Sequence, residues 1–283
     1  MDAFIISCEH GGNQIPAPYR RLFLGQRDLL HSHRGHDPGS LVMATALADA
    51  FRAPLAASTT SRLLVDLNRS IAHPQLFSAA TRDAPAETRA QIVKDHYLPY
   101  RMQVERLVTQ AVAHGDRAIH ISSHTFTAEL DGKVRSADVG LLYDPGRRGE
   151  IELCARWKKS LAVFEPKLRV RRNYPYSGKA DGLTSYLRGR FAPRNYIGIE
   201  LEINQGIVSA GGRPWTALRR VLIESLRTAW APLEGPSQPH LADTENKDAN
   251  SRRLRDDLRL PAAHPDDLQP QRALHPGVRS RRP

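Results

Sequence analysis

Cysteine is scarce in this chain, and its scarcity excludes several structural classes. The 283 residues include only Cys8 and Cys154, too few for the disulfide framework of a small secreted domain or for a cysteine-rich zinc site. The chain also lacks a long apolar run, and the apolar segment from Ala3 to Ile6 follows no basic stretch. Neither a signal peptide nor a membrane span is therefore predicted, and we expect a cytoplasmic protein.

Nucleic-acid-binding motifs are missing as well, although the chain is basic. The net charge is +11, and residues from Glu234 onward hold only nine of the 41 Lys/Arg and eight of the 30 Asp/Glu, so residues 1–233 carry +10. No helix-turn-helix, zinc-finger or aromatic-rich RNA-binding pattern accompanies this charge. A funnel for a small anionic substrate is favoured, and a basic nucleic-acid-binding protein without catalytic function is the alternative.

The composition changes near Glu234 and indicates two parts. Residues 234–283 contain no aromatic residue, mix charges of both signs and are punctuated by proline. Such a segment cannot bury enough apolar surface to offset the entropy of ordering it. We therefore expect a folded domain over residues 1–233 and a disordered tail over 234–283.

Strands and helices alternate along the first 233 residues. Apolar strands are predicted over residues 3–8, 54–59, 117–122, 137–143, 167–171 and 196–203. Helices are predicted over 38–51, 86–113 with a bend near Pro99, 149–164, 183–190 and 214–231. This alternation predicts an α/β fold with a mostly parallel, mixed sheet and helices on both of its faces.

Four stretches carry the residues that a hydrolytic site needs. They are Glu9-His10-Gly11-Gly12, the segment from Ser61 to Arg69, Ser122-Ser123-His124, and the segment from Ile199 to Gln205. His124 is predicted at the end of a strand, where ligand crevices of open α/β sheets lie. Zinc hydrolases combine His and carboxylate ligands with a carboxylate general base, and arginine binds substrate carboxylates through its planar fork.

These stretches, in this order, resemble the N-formylglutamate amidohydrolase family, which is similar in turn to aspartoacylases and zinc carboxypeptidases. The resemblance spans about residues 3 to 230, and its most specific part runs from Ser61-Arg62 to Asp66-Leu67-Asn68-Arg69. It implies a three-layer fold like that of zinc carboxypeptidases and phosphorylase-like hydrolases. It also implies one divalent metal, zinc, and hydrolysis of N-formyl-L-glutamate to formate and L-glutamate.

The resemblance assigns roles residue by residue. His10 and His124 would bind the metal. The position of the glutamate in the carboxypeptidase pattern is Asn13 here, and Asp37 is chosen as the third ligand because the family tends to place an acid in that region. Glu202 would be the general base, and Glu200, on the same strand face, is able to exchange roles with it.

Arg62, Asn68 and Arg69 would hold the substrate carboxylates. Relatives often carry an acid two positions before the second metal histidine, where this chain has Ser122. The orientation of His124 therefore requires another partner.

Simpler interpretations exist for each residue. Asp37 could simply cap the helix that follows it. Arg62 and Arg69 could form ordinary ion pairs, and Glu200 and Glu202 could line the solvent-exposed face of an edge strand. His31, His33 and His36 suggest a metal cluster but are more typical of a solvated loop. Cys8 fits a small core residue better than a nucleophile assisted by His124. A carboxypeptidase or another acylase on the same scaffold is the alternative enzyme.

Overall fold

A six-stranded sheet forms the centre of the computed structural model, which describes residues 1–231. Strands β1 to β8 span Asp2–Cys8, Leu55–Ala57, Arg117–Phe126, Glu129–Leu130, Lys133–Val134, Val139–Leu142, Val170–Arg172 and Tyr196–Asn204. The order across the sheet is β2-β1-β3-β8-β6-β7, and β4 pairs with β5 in a separate hairpin. Strands β2, β1, β3 and β8 are parallel, whereas β6 is antiparallel to β8. The predicted α/β fold with a mixed, mostly parallel sheet is confirmed.

Helices cover both faces of this sheet. Helices α1 to α8 span Arg27–His31, Ser40–Phe51, Ala86–Ile92, Leu98–Ala113, Arg148–Phe164, Leu183–Arg190, Gln205–Ala210 and Gly212–Trp230, and a 3-10 helix spans Ala17–Phe23. Alternate residues of β3 enter different cores, because successive side chains of a strand point to opposite faces. Ile119 and Ile121 pack with α2, α5 and α8, whereas Ala118 packs with α4 and α6. The three-layer prediction is thereby confirmed.

Both cores are densely apolar. On the first face, Trp157 of α5 is fully buried and donates a hydrogen bond from Nε1 to Ser225 Oγ of α8 at 3.0 Å. On the second face, Val104 and Val108 of α4 pack with Leu64, which lies in the turns between β2 and α3. The apolar part of the Ser61–Arg69 segment therefore anchors its polar residues to the second core.

Three elements differ from the sequence predictions. Strand β3 continues four residues beyond Ser122 because β8 pairs with it as far as Phe126, so His124 lies within the strand. The predicted long helix is divided by a π-helical turn over Val93–Tyr97, just before Pro99. Strand β8 is central and buried along its whole length, so the interpretation of Glu200 and Glu202 as residues of a solvent-exposed edge strand is wrong.

The proposed tail from residue 234 lies outside the described residues. Within residues 1–231, no helix has both the length and the apolar character that crossing a bilayer requires.

Candidate active site

Polar residues occupy alternate positions at the carboxyl ends of three adjacent parallel strands. Ser122 of β3 is the register partner of Ser7 of β1 and of Glu200 of β8, and His124 is the partner of Glu202. Side chains two residues apart share a face. The parallel pairing therefore collects these polar groups on one face of the sheet, beside the second core.

The loop after β1 reaches this face through a close backbone contact. Gly11 donates its backbone N–H to Ser58 O at 3.0 Å, and a Cβ on Gly12 would lie 2.6 Å from Thr59 O. Any larger residue at position 12 would therefore push the loop away from the segment after β2. The glycines thus hold His10, which precedes them, at the end of β1.

His10, Asp37 and His124 come together in a buried group that we call the ligand cluster. Asp37 Oδ2 lies 3.0 Å from His124 Nδ1 and 3.5 Å from His10 Nδ1, and one ligand atom from each residue lies within 4.8 Å of the others. The backbone N–H of Asp37 donates to His10 O at 2.9 Å, which fixes the spacing of the two residues.

The ligand cluster has the donor set and spacing that a divalent metal requires. Ligand atoms about 2.1 Å from a tetrahedral zinc are about 3.4 Å apart, close to the separations around Asp37 Oδ2. His10 Nδ1 is buried and has no hydrogen-bond partner among residues 1–231. Two imidazole nitrogens and one carboxylate oxygen therefore suit a metal such as zinc, with one position left for another ligand.

Asp37 does not cap the helix that follows it. Helix α2 begins at Ser40, and its N-cap is Gly39, whose φ of 83° suits glycine, with no side-chain cap. The Asp37 carboxylate instead turns toward the two histidines and Arg62. Burial alone would raise the pKa of Asp37, but these cationic and hydrogen-bonding neighbours hold it well below its usual value.

Asp66 orients His10 from behind. Its Oδ1 lies 2.7 Å from His10 Nε2, and its Oδ2 accepts a hydrogen bond from Arg62 Nη2 at 2.7 Å. This contact engages Nε2 and leaves Nδ1 as the nitrogen that faces Asp37. Asp66 belongs to the Ser61–Arg69 motif, but the family resemblance gave it no role. The segment from Ser61 to Arg69 is built of turns, so no periodicity indicates where this carboxylate points.

Glu9 supplies the carboxylate that position 122 lacks, while Ser122 Oγ itself lies 2.9 Å from His124 Nε2. Glu9 Oε2 lies 3.1 Å from His124 Nε2 and accepts a hydrogen bond from Ser122 Oγ at 2.7 Å. Ser7 Oγ and Tyr100 Oη donate to the other oxygen at 2.7 and 3.2 Å. Glu9 was missed as a functional residue, although its alternation with Ser7 on an apolar strand is a signal that the sequence contains.

Two carboxylates therefore share one imidazole. Burial alone would lower the pKa of His124, but its hydrogen bonds with Asp37 and Glu9 raise that pKa well above its usual value. The same contacts hold the pKa of Glu9 below its ordinary value against the effect of burial. This surplus of carboxylate charge favours a cation at the ligand cluster.

Glu202 and Glu200 share a strand face but have different surroundings. Glu200 Oε1 accepts a hydrogen bond from Thr184 Oγ1 at 2.6 Å. Glu202 Oε2 is buried and has no partner among residues 1–231, and burial raises the pKa of this carboxyl from 4.5 to about 8. Glu202 thus accepts no hydrogen bond within residues 1–231, whereas Glu200 accepts one, and Glu202 is the register partner of His124.

The three predicted substrate-binding residues occupy different positions. Arg62 pairs with Asp66 and, at 3.4 Å, with Asp37, so its guanidinium belongs to the ligand cluster's surroundings. Arg69 forms no ion pair within the described chain and donates from Nη1 to Asp181 O at 3.3 Å. Asn68 Oδ1 accepts the backbone N–H of Leu183 at 2.7 Å, which leaves its amide nitrogen available.

The remaining candidates lie away from this chemistry. His31 and His33 are exposed, as a solvated loop requires, whereas His36 is half-buried, and none of the three belongs to the ligand cluster. The Cys8 thiol is buried and donates to Ser40 Oγ at 3.3 Å, and burial raises its pKa to about 12. A thiol that stays protonated is a poor nucleophile, so Cys8 is a core residue.

Known proteins resemble this chain in sequence pattern and in fold. Residues 2–208 match the family model described as N-formylglutamate amidohydrolase. A gene product of Agrobacterium tumefaciens has a similar structure, with a TM-score of 0.72 and 27% identity over 83% of this chain and 92% of that one. An N-formylglutamate amidohydrolase from Ralstonia eutropha shares the fold, with a TM-score of 0.59 and 20% identity over 83% and 96% of the two chains. No curated protein is significantly similar in sequence.

Proposed function

The chain belongs to the N-formylglutamate amidohydrolase family, which hydrolyses amide C–N bonds, and we propose that it uses one divalent metal, zinc, to cleave N-formyl-L-glutamate into formate and L-glutamate. One observation carries the proposal: the free carboxylate oxygen of Glu202 lies beside a buried His10-Asp37-His124 cluster of metal-ligand character. Family membership also argues against the non-catalytic nucleic-acid-binding alternative.

His10 and His124 would bind the metal through Nδ1, and Asp37 through Oδ2. When bound, the metal supplies Lewis acidity, which lowers the pKa of water and polarises the carbonyl of the scissile amide. Asp66 and Glu9 hold the opposite imidazole nitrogens by contacts of 2.7 and 3.1 Å. These carboxylates fix the ring orientations and make the imidazoles stronger donors.

Glu202 would move the proton. Its free Oε2 takes a proton from water as the water oxygen bonds to the formyl carbon, and then delivers that proton to the amide nitrogen. The C–N bond breaks to give the neutral amine and formic acid, whose remaining proton passes to the amine or to solvent. Burial raises the pKa of Glu202 to about 8 in the metal-free protein. A cation beside the carboxyl would lower that pKa and favour the ionised base. Glu200, held by Thr184, would support the strand face without transferring the proton.

Arg69 and Asn68 would bind the substrate's carboxylate. Arg69 has no carboxylate partner within the described chain, and the Asn68 amide nitrogen is free beside it. A guanidinium binds a carboxylate through paired, charge-assisted hydrogen bonds. Arg62, in contrast, is already paired with Asp37 and Asp66. We therefore assign Arg62 to the support of the ligand cluster and Arg69 to the substrate.

Formate release from N-formyl-L-glutamate tests the proposal. The protein is assayed as purified, after prolonged dialysis against a chelator, and after zinc is added back, with metal content measured at each stage. We expect release to disappear with the metal and to return with it. Activity that survives complete metal removal would overturn the proposed metal requirement. Absence of formate release from folded, zinc-loaded protein would overturn the proposed substrate.

A further inference from the structure

Arg135 is a cation beside the candidate active site that neither the family resemblance nor the proposed mechanism uses. It follows the β4–β5 hairpin, and its backbone N–H donates to Ala128 O at 2.8 Å. Its carbonyl accepts a hydrogen bond from Asn204 Nδ2 at 3.4 Å. Ala128 lies just after β3 and Asn204 ends β8, so Arg135 is attached at the carboxyl ends of the strands that carry His124 and Glu202.

Two aromatic rings hold the Arg135 guanidinium in place. Its Cζ lies 5.8 Å from the ring centroid of Phe126 and 5.2 Å from that of Tyr176. Its Nη1 also donates to Tyr176 Oη at 3.1 Å. Rings at these distances stabilise a cation and restrict its motion. Arg135 is therefore preorganised, which lowers the entropy that binding a ligand would cost.

Both rings connect Arg135 to the catalytic face. Phe126 lies two residues after His124 on β3, so the two side chains point to the same face. Tyr176 lies near Arg62, and Arg62 pairs with Asp37 of the ligand cluster. The guanidinium thus lies on the side of the sheet that carries His124 and Glu202, at the carboxyl ends of β3 and β8. We call Arg69, Asn68, Arg135 and Tyr176 the site mouth.

The Arg135 guanidinium lacks a counter-ion. It is half-buried, and no carboxylate of residues 1–231 forms a salt bridge with it. A guanidinium carries five N–H donors, and a single one, at Nη1, donates to a side chain of residues 1–231. A partly buried, immobilised cation with free donors favours a planar anion from outside the protein.

We propose that Arg135 binds the side-chain carboxylate of the substrate and thereby selects acidic over neutral N-acyl amino acids. This inference rests on the proposed function, in which Arg69 holds one carboxylate of a substrate that carries two. The structure offers a second unpaired arginine for the second carboxylate. Arg135 is thus a specificity-determining residue and takes no part in bond cleavage.

A matched pair of ligands tests this assignment. N-formyl-L-glutamate and N-formyl-L-glutamine have nearly the same shape but differ in side-chain charge, and zinc-loaded wild type is compared with Arg135→Gln. The variant should lose about 10- to 100-fold in kcat/KM for the acidic substrate, mainly through KM, because it loses a charge-assisted hydrogen bond. The neutral substrate should change by less than about threefold. Equal losses with both substrates, or no loss with either, would overturn the inference.

Arg171→Gln provides the control. Arg171 also stacks on a tyrosine of the same loop, with Cζ 5.0 Å from the Tyr174 ring, but it is exposed and has no part in the proposed site. Its substitution should leave both substrates unaffected. If Arg171→Gln instead loses the preference for the acidic substrate as strongly as Arg135→Gln does, the preference comes from overall positive charge and not from a specific contact with Arg135.

Direct binding separates this inference from the proposed function. The affinities of zinc-loaded wild type and Arg135→Gln for L-glutamate and L-glutamine are measured by calorimetry. If wild type releases no formate but binds glutamate in an Arg135-dependent way, the proposed substrate fails and the inference stands. If wild type releases formate and Arg135→Gln binds L-glutamate with the same affinity as wild type, the inference fails and the proposed function stands.

Discussion

The inner end of the candidate site and its mouth carry side chains of opposite charge. We call the inner end the site floor; it contains the ligand cluster with Glu9, Asp66, Arg62 and Glu202. Its carboxylates converge on two histidines from the ends of strands and the turns beside them. The site mouth is carried by loops, and its two arginines lack carboxylate partners within residues 1–231.

This difference gives each region a different ligand preference. Three carboxylates surround the histidines of the site floor with one paired arginine, so the floor favours an added cation. The site mouth offers unpaired guanidinium groups, so it favours an anion. A single molecule with a polarisable carbonyl at one end and carboxylates at the other satisfies both regions, as an N-acyl acidic amino acid does. Variants in the two regions should therefore fail in different ways.

The largest effect should come from the site floor, through Glu202. Glu202→Gln keeps the shape of the protonated side chain, which burial favours in the metal-free protein, so the fold and the zinc content should be unchanged. Loss of the proton-transferring group should lower kcat by about 10³-fold. Steady-state formate release and metal analysis of the purified variant provide the measurement.

Glu200→Gln is the matched control on the same strand face. The amide oxygen of glutamine still accepts the Thr184 hydroxyl, so kcat should fall less than about tenfold. A larger loss in Glu200→Gln than in Glu202→Gln would exchange the roles of the two glutamates.

Metal affinity should separate the residues within the site floor. Asp37→Asn replaces a proposed ligand and should weaken zinc binding by more than about 100-fold. Asp66→Asn leaves every ligand in place and disturbs only the orientation of His10, so the loss should be about 10- to 100-fold. Competition with a chromophoric chelator measures both affinities. Equal zinc affinity of Asp37→Asn and wild type would remove Asp37 from the ligand set.

The sequence was sufficient for the parts of the site that depend on strand ends. His10 and His124 lie together because parallel pairing collects the carboxyl ends of β1 and β3, and Asp37 joins them from the loop before α2. Glu9 was also within reach, since alternation on a buried strand places it on the face of Ser7. Its contact with His124 from the neighbouring strand supplies the carboxylate that relatives carry two positions before this histidine, where the chain has Ser122.

Irregular segments limited the prediction elsewhere. The roles of Arg62 and Arg69 depend on which carboxylates approach each guanidinium, and the turns around them carry no periodic signal. Arg135 depends on a two-residue strand pair and on aromatic rings that are 9 and 41 residues distant in sequence. Contacts of this kind are decided by tertiary packing, which local patterns do not encode.

The site mouth should show a smaller and different defect. Arg69→Gln should raise KM for N-formyl-L-glutamate about 10- to 50-fold and change kcat by less than about threefold, because the lost contact binds substrate and transition state alike. Arg62→Gln should instead lower zinc affinity, since Arg62 pairs with Asp37 and Asp66. Full kinetics and zinc titrations of both variants provide the comparison. A pure KM defect in Arg62→Gln would move that arginine from the floor to the mouth.

A further effect concerns the pH dependence of stability in the metal-free protein. Burial raises the pKa of Glu202 from 4.5 to about 8, so between these pH values the folded state holds a proton that the unfolded chain has released. The contribution of Glu202 to stability therefore falls as pH rises through this window. Glu202→Gln lacks this dependence and should become the more stable protein by on the order of 3 kcal/mol at pH 8.

Urea unfolding of metal-free wild type and Glu202→Gln at pH 5 and pH 8 measures this difference. A stability gap that stays constant between the two pH values would mean that the Glu202 carboxyl titrates normally in the folded state. Zinc sharpens the comparison, because a cation beside the carboxyl lowers its pKa and should reduce the pH dependence of the gap. If the site floor is arranged to bind a cation, Glu202 should destabilise the metal-free protein near pH 8 and should destabilise the zinc-bound protein less.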